Sequence, residues 1–188
     1  MPPADGLKVV RSSIHGYGLV TLREFKKGDV VVYADGVIYR EEEEFDDEYA
    51  LILPGYETDK DGNEGPPMYY DLADQTRWIN HSCDPNTEVD SSWDPATKSI
   101  NPWWVAIQDI ATGVELTYDY AFSGQLAIPC LCRMEKCRGL IVDPDELHLV
   151  PENLRSHSRL PIPQPLLSSI PADVQEPQRA PVSQRDAG

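Results

Sequence analysis

Hydrophobic residues come in short runs along the first 150 residues of the chain. Most of these runs are β-branched or aromatic, and Gly, Asp or Pro interrupts them about every ten residues. The clearest runs are LKVV, GLVTL, DVVVY, GVIY and WWVAIQ. This pattern predicts a mostly β fold of the β-rich α+β class. We expect only short helical pieces, at residues 41–51 and 72–78.

The last 38 residues have a different composition. They contain seven prolines and no Phe, Trp or Tyr, and their apolar residues follow no regular period. Such a segment cannot bury enough apolar surface to offset the entropy that it would lose on folding. We therefore predict a disordered, proline-rich tail at residues 149–188. A docking role through Leu166, Leu167 and Ile170 is the alternative.

The chain is strongly acidic, with 32 Asp and Glu against 16 Lys and Arg and a formal net charge of -16. This charge argues against direct binding to a nucleic-acid backbone and favours a basic partner, such as a lysine-rich protein. Seven of the eight residues in the run EEEEFDDE at 41–48 are acidic. That run is either a solvated helix face or a surface that attracts a basic peptide.

No apolar stretch is long enough to span a membrane, and the first residues lack a signal-peptide pattern. We therefore expect an intracellular protein without membrane contact. It would act in the nucleus, at the chromosome, if the organism is eukaryotic, and otherwise in the cytoplasm.

The four cysteines indicate a structural zinc site. Cys130, Cys132 and Cys137 lie close together in CLCRMEKC, and Cys83 is the remaining cysteine. A structural zinc ion takes four ligands in a tetrahedral arrangement. Two disulfides are the alternative, but an intracellular location and the C-x-C spacing disfavour them. Zinc would thus join the segment RWINHSCDPN to the loop near residue 130.

Four segments, in the order in which they occur, resemble the SET-domain protein lysine methyltransferases. They are SSIHGYGLVTLREFKKGDVVV, RWINHSCDPN, IQDIATGVELTYDY and CLCRMEKCRG. The resemblance implies a SET domain of small sheets with a pseudoknot at residues 1–124 and a post-SET zinc-binding segment at 125–148. No cysteine precedes residue 83, so the cysteine-rich pre-SET cluster of some members is missing.

The resemblance also implies S-adenosylmethionine as the cofactor. The glycines of HGYG let a backbone approach a ligand closely, although alone they are more typical of a turn. Asn80 would bind the cofactor's amino-acid end, His81 would contact adenine through its backbone, and Arg77 would brace the segment. The implied cofactor-binding residues are His15, Gly16, Tyr17, Gly18, Arg77, Asn80, His81 and Tyr120.

Tyr120 and Tyr118 are the implied catalytic residues, although a tyrosine pair in a β-rich core is also typical of packing. The Tyr120 hydroxyl would orient the methyl group and the amine, whereas Tyr118 would limit the product to one methyl, sometimes two. An aromatic channel would favour the uncharged amine that methyl transfer requires. Tyr70 and Phe122 are further candidates for the channel wall.

These observations predict an S-adenosylmethionine-dependent protein-lysine N-methyltransferase that acts on a histone or another basic protein. Two alternatives stay open on the sequence alone. One is a catalytically silent SET module that binds a basic protein. The other is a methyltransferase for a small amine or a non-lysine site, since fold does not fix the substrate.

Overall fold

The structure is a computed structural model that describes residues 6–40, 43–45, 48–58, 60–62 and 64–163. The strands in these ranges are β1 (Leu7–Arg11), β2 (Tyr17–Thr21), β3 (Val30–Tyr33), β4 (Gly36–Arg40), β5 (Ala50–Thr58), β6 (Glu64–Leu72), β7 (Asn80–His81), β8 (Thr87–Asp94), β9 (Ser99–Ala106), β10 (Thr117–Tyr118), β11 (Ile128–Pro129) and β12 (Leu140–Ile141). The helical elements are the 3-10 helices η1 (Gln75–Trp78), η2 (Gly124–Leu126), η3 (Pro144–Leu149) and η4 (Glu152–His157). The predicted mostly β fold is confirmed. Within the described ranges, no helix has the length and apolar character needed to cross a bilayer.

The described strands form small sheets of two or three strands each. β1 and β2 form an antiparallel pair, β9 lies between β3 and β8, and β6 lies between β4 and β5. β7 and β10 form a parallel pair, and β11 pairs with β12 in antiparallel fashion. Each of the five apolar runs that predicted a strand overlaps one, namely β1, β2, β3, β4 and β9.

Two separate clusters of buried apolar side chains stabilise these sheets. The larger one, here called the main core, is formed by buried residues between Leu7 and Leu116. On β9 burial alternates along the strand, and Trp104 is completely buried at its centre. The smaller one, here called the C-terminal core, consists of Ala127, Leu140, Val142, Leu147 and Val150.

The predicted helix at residues 41–51 is wrong where the structure describes that range. Residues 43–45 and 48–49 are not helical, and residues 50–51 begin β5. The reason is tertiary: β5 pairs with β6 and buries Leu51 and Leu53 in the main core.

The predicted helix at residues 72–78 is confirmed only in its second half. Leu72 ends β6, and η1 starts three residues later. The side chain of Asp74 caps η1, because its Oδ1 accepts a hydrogen bond from the Thr76 N–H at 2.9 Å.

The predicted start of a disordered tail at residue 149 is also wrong for the part that the structure describes. Residues 152–157 form η4, and Leu154, Leu160 and Ile162 pack against the C-terminal core. These apolar side chains bury surface even though prolines flank the helix. Residues 164–188, with the suggested docking residues Leu166, Leu167 and Ile170, lie outside the described residues.

Candidate active site

Two segments that are far apart in the sequence meet at the parallel pair of β7 and β10. Thr117 pairs with Asn80, and Tyr118 pairs with His81. The Ser82 N–H extends the ladder by donating to the Tyr118 carbonyl at 3.0 Å. A tight turn cannot join parallel strands, so such a pair always connects separate parts of a chain. The structure thus brings RWINHSCDPN and ELTYDY side by side.

Asn80 connects this junction to the HGYG loop through its amide nitrogen. Its Nδ2 lies 2.7 Å from the Tyr17 carbonyl oxygen, 2.9 Å from Glu115 Oε1 and 3.2 Å from the His15 carbonyl oxygen. All three neighbours are acceptors, so the nitrogen and not the oxygen of the amide faces them. The Asn80 carbonyl oxygen therefore points away from these groups.

The two glycines of the loop have different physical roles. Gly16 has a φ of +49°, and no atom of the described chain lies within 4 Å of the place that its Cβ would take. At Gly18, in contrast, a Cβ would collide with the carboxylate of Glu115. The close approach expected at Gly18 exists, but it is made by a side chain of this protein.

Four aromatic side chains form a row beside the junction. The ring centroids are 5.6 Å apart between Trp104 and Tyr118, 4.7 Å between Tyr118 and Tyr120, and 5.5 Å between Tyr120 and Phe122. Burial raises the pKa of both tyrosines above 10.0, so both are neutral hydroxyls at neutral pH. The Tyr120 hydroxyl donates to the Ile79 carbonyl at 2.9 Å. This bond fixes the Tyr120 hydroxyl next to Asn80. The lone pairs of the Tyr120 oxygen can still accept a hydrogen bond.

Four cysteine thiols gather close to β7. The Sγ atoms of Cys83, Cys130, Cys132 and Cys137 all lie within 4.8 Å of one another, with 3.7 Å between Cys83 and Cys130. All four are free thiols rather than disulfides. Tetrahedral zinc with Zn–S bonds of about 2.3 Å places its sulfurs about 3.8 Å apart. The cluster therefore has the ligand number and dimensions that fit such an ion.

The thiols differ in how readily they ionise. Burial raises the pKa of Cys83 to about 11, and it also raises the pKa of Cys130. At Cys132 burial acts in the same direction, but hydrogen bonds from the backbone of Cys83 and Met134, together with those to the side chains of Cys130 and Cys137, outweigh it and lower the pKa to about 7. A coordinated cation would deprotonate the resistant thiols as well.

His81 connects the thiol cluster to the segment that follows β10. Its Nδ1 accepts a hydrogen bond from the Tyr120 N–H at 3.2 Å, and its Nε2 lies 3.3 Å from Cys83 Sγ. Burial lowers the pKa of the imidazole to about 4, against the opposing effect of Asp119. The ring is therefore neutral at neutral pH. Because Nδ1 accepts, Nε2 carries the hydrogen and donates to the sulfur.

A bidentate ion pair makes a second connection between the thiol cluster and the segment that follows β10. Arg138 Nη1 and Nη2 each donate to one oxygen of Asp119 at 2.7 Å. Arg138 lies between Cys137 and Gly139 in the thiol segment, whereas Asp119 lies between the two tyrosines of the aromatic row. Two parallel hydrogen bonds fix the relative orientation of the groups that they join.

Three further predicted residues lie around this centre. The Arg77 guanidinium stacks 4.2 Å from the Tyr49 ring centroid, and the Tyr17 ring lies 5.2 Å from Trp78. Tyr70 is buried in the main core. The roles of Arg77 and Tyr17 toward a cofactor, and of Tyr70 toward a lysine channel, stay predictions.

Three charged residues that organise the site, Glu115, Asp119 and Arg138, are not among the residues predicted from the sequence. Glu115 and Asp119 lie inside the strand-like segment ELTYDY, and Arg138 follows a predicted metal ligand. A charged residue within an apolar segment is seldom buried unless it has a partner. That signal could have identified Glu115 and Asp119 as paired groups, although not their partners; nothing in the sequence around Arg138 gives the same signal.

Comparison with known proteins agrees with this geometry. Residues 16–121 match the SET domain family. The histone-lysine N-methyltransferase, H3 lysine-4 specific, of Chaetomium globosum is 30% identical over 150 residues, which cover 72% of this chain and 13% of that protein. A solved structure on the structural basis for the product specificity of histone lysine methyltransferases is 31% identical, with a TM-score of 0.55, and the match covers 71% of this chain and 54% of that one.

A structure of KRYPTONITE in complex with mCHG DNA and SAH is 26% identical, with a TM-score of 0.57, and the match covers 72% of this chain and 28% of that one. The chain thus spans only a small part of the curated relative, and about half of the first solved structure. The family match covers more than half of the 188 residues. On this ground the chain belongs to the SET-domain family.

Proposed function

We propose that this protein transfers a methyl group from S-adenosylmethionine to the side-chain amine of a lysine in a histone or another basic protein. The observation that carries the proposal is the meeting of the HGYG loop, Asn80 and Tyr120 at the junction of β7 and β10. The relative's name, histone-lysine N-methyltransferase, supports the reaction class. The SAH in the KRYPTONITE structure supports the cofactor class.

The residues around the HGYG loop fit the proposed cofactor. The loop backbone and the outward-facing Asn80 oxygen offer polar atoms for an amino-acid group, and the space beside Gly16 is open. The backbone of His81 would take the adenine. The cofactor, when bound, supplies a methyl group on a positively charged sulfur. The protein's own task is then to hold the acceptor amine in line with that methyl group.

The aromatic row would enclose the lysine side chain. A free lysine amine has a pKa of about 10.4, so it must lose a proton to solvent before it can accept a methyl group. Surroundings of low polarity disfavour the ammonium form. The Tyr120 hydroxyl, held by the Ile79 carbonyl, would orient the amine. The net charge of -16 would attract a basic substrate and disfavours a nucleic-acid partner.

We propose a structural role for zinc at the thiol cluster. Four protein ligands leave no open position for catalysis on the metal. The ion would join Cys83 to the segment 130–137 and, through His81, support the backbone of Tyr120. In this proposal residues 1–124 are the SET domain and residues 125–148 the post-SET segment.

Tyr118 is the proposed limit on the number of methyl groups. Its ring lies between Trp104 and Tyr120, where its hydroxyl would occupy space beside the amine. We expect monomethyllysine as the main product, with some dimethyllysine. A histone substrate would place the reaction at chromatin.

The proposal is tested by incubating the zinc-loaded protein with labelled S-adenosylmethionine and a panel of histones and basic proteins. Tyr120→Phe removes one hydroxyl and should lower lysine labelling by about 100-fold or more, because positioned hydroxyls contribute at this level. Tyr39→Phe removes a hydroxyl from a ring that stacks on Phe45, so it should leave labelling unchanged. Mass spectrometry of the product gives the methyl number.

Equal labelling by the wild type and Tyr120→Phe would remove Tyr120 from the reaction. Binding of a basic protein without any labelling would favour the silent module. Label on a small amine, but on no protein, would change the substrate class. Trimethyllysine as the main product would contradict the role of Tyr118.

A further inference from the structure

One carboxylate that the proposed reaction leaves without a role lies beside the HGYG loop. Glu115 Oε1 accepts a hydrogen bond from the Ser12 hydroxyl at 2.7 Å and another from Asn80 Nδ2 at 2.9 Å. The same carboxylate fills the space that a side chain at Gly18 would need. Two residues of the proposed cofactor site, Gly18 and Asn80, and the nearby Ser12 therefore converge on one side chain.

The backbone holds Glu115 in place for these contacts. Glu115 pairs with Val20 in an antiparallel bridge, and its carbonyl accepts a hydrogen bond from Asn86 Nδ2 at 2.8 Å. These contacts fix the backbone from which the Glu115 side chain extends. Because Gly18 has no Cβ, the Glu115 carboxylate can lie against the HGYG loop.

Through Ser12 the carboxylate also orders the loop itself. A hydroxyl has a single hydrogen, and Ser12 donates it to Glu115, so the lone pairs of its oxygen accept from the chain. The Ile14 N–H donates to this oxygen at 2.9 Å, and the His15 N–H at 3.4 Å. The Ser12 N–H in turn donates to the Gly16 carbonyl at 3.2 Å.

Together with the carbonyl oxygens of Tyr17 and His15, the carboxylate sets which end of the Asn80 amide faces the cofactor. An acceptor such as Glu115 Oε1 attracts the Asn80 nitrogen and repels its oxygen. The oxygen is thereby turned outward, where it can accept from the α-ammonium group of an amino acid. A flipped amide would present a donor to that ammonium group, and two donors cannot bond with each other.

We propose that Glu115 is a positioning residue for cofactor binding. Its carboxylate fixes the Ser12–Gly16 turn and the Asn80 amide, so that the Asn80 oxygen accepts from the cofactor's α-amino group. This inference rests on the proposed function, since it assumes a cofactor with an amino-acid end at this site.

Calorimetric titration of the zinc-loaded full chain with two ligands tests the inference. The ligands are S-adenosylhomocysteine and its analogue without the α-amino group. In the wild type the analogue should bind about 10- to 100-fold more weakly, which is the range for a hydrogen bond to a charged group. In Glu115→Ala the ratio of the two dissociation constants should fall but stay above one, because the Tyr17 and His15 carbonyl oxygens still face the Asn80 nitrogen. In Glu115→Gln, which keeps an acceptor oxygen, it should be intermediate.

Two control variants separate positioning from a general loss of structure. Glu88→Ala removes an exposed glutamate on β8 and should preserve both affinities. Ser12→Ala loosens the loop but leaves the contact between Glu115 and Asn80, so it should weaken both ligands while the ratio persists.

The inference is overturned if Glu115→Ala and Glu115→Gln weaken both ligands equally and keep the wild-type ratio. Glu115 would then be only structural, and the proposed function would stand. If the wild type binds neither ligand, the proposed function fails, and this inference fails with it.

Discussion

The main core and the C-terminal core differ in what can hold them together. The main core buries large side chains from many strands, among them the completely buried Leu19 and Trp104. The C-terminal core has five buried residues, one of which is an alanine. So small a cluster contributes little apolar burial against the entropy of ordering its chain. It therefore needs support from outside the apolar contacts.

Three kinds of contact supply that support. The thiol cluster joins the C-terminal region to Cys83, the ion pair joins Arg138 to Asp119, and the segment after η3 closes over the thiol segment. In that closure the Arg159 N–H donates to the Arg138 carbonyl at 2.7 Å. Gly139 has a φ of +83°, and any Cβ there would overlap the His157 carbonyl. The C-terminal end of the candidate active site therefore depends on its thiol cluster and its polar contacts.

Removal of the proposed zinc ion should have the largest effect on the difference between the two cores. Structural zinc contributes roughly 10 kcal/mol or more to the folding of small metal-dependent units. A chelator should therefore abolish amide protection in residues 124–160 and leave the main core folded. Hydrogen exchange reports on the first region. Fluorescence reports on the second, because all four tryptophans lie at or before residue 104.

Cys137→Ser should have the same effect as the chelator without any added reagent. A loss of tryptophan signal together with the amide protection would mean that the two cores unfold as one unit. Unchanged protection after chelation would mean that no metal supports the C-terminal core.

The difference between the cores also explains how far sequence reasoning reaches. Strands such as β2 and β9 were predictable because their own residues carry the β pattern. The gathering of Cys83 with three distant thiols was predictable because a metal needs four ligands. In both cases the residue types and their spacing in the sequence are enough to predict the structure.

The contacts that depend on a partner elsewhere in the chain were not predictable. The range 41–51 has a helix-like composition, but the pairing of β5 with β6 decides its structure. The role of Glu115 depends on the space at Gly18, which only the strand register reveals. Residues 152–163 are ordered because Leu154, Leu160 and Ile162 pack against the C-terminal core.

Matched leucine truncations in the two cores should have smaller effects that also distinguish one core from the other. Leu19 and Leu140 are both completely buried, one in each core, and a Leu→Ala change at such a site costs about 2–5 kcal/mol. Leu19→Ala should lower the urea midpoint that tryptophan fluorescence measures. Leu140→Ala should leave that midpoint unchanged and instead speed hydrogen exchange in residues 124–160.

The exposed Leu22 provides a control for both variants. It keeps 55% of its surface accessible, so Leu22→Ala should change the free energy of unfolding by less than about 0.5 kcal/mol. If Leu140→Ala lowered the fluorescence midpoint as much as Leu19→Ala did, the independence of the two cores would be disproved.

The smallest expected effect concerns a single carboxylate in the C-terminal region. Glu146 Oε2 accepts a hydrogen bond from the Gly124 N–H at 2.8 Å, and this bond, with help from the Ser123 side chain, lowers the pKa of Glu146 below 4.5. A carboxylate whose pKa is lower in the folded state stabilises that state fully above its ordinary pKa. The contribution is lost as the pH falls through the folded value.

Glu146→Gln should therefore speed hydrogen exchange slightly at residues 123–126 at pH 6, because an amide is a weaker acceptor than a carboxylate. Below pH 4.5 the difference between the wild type and the variant should narrow, since the wild-type carboxylate takes up a proton there. Acid also protonates the thiols, but it does so in both proteins, so the difference between them isolates Glu146. A difference that stayed constant as the pH fell well below 4.5 would show that the charge of Glu146 adds nothing to the contact with Gly124.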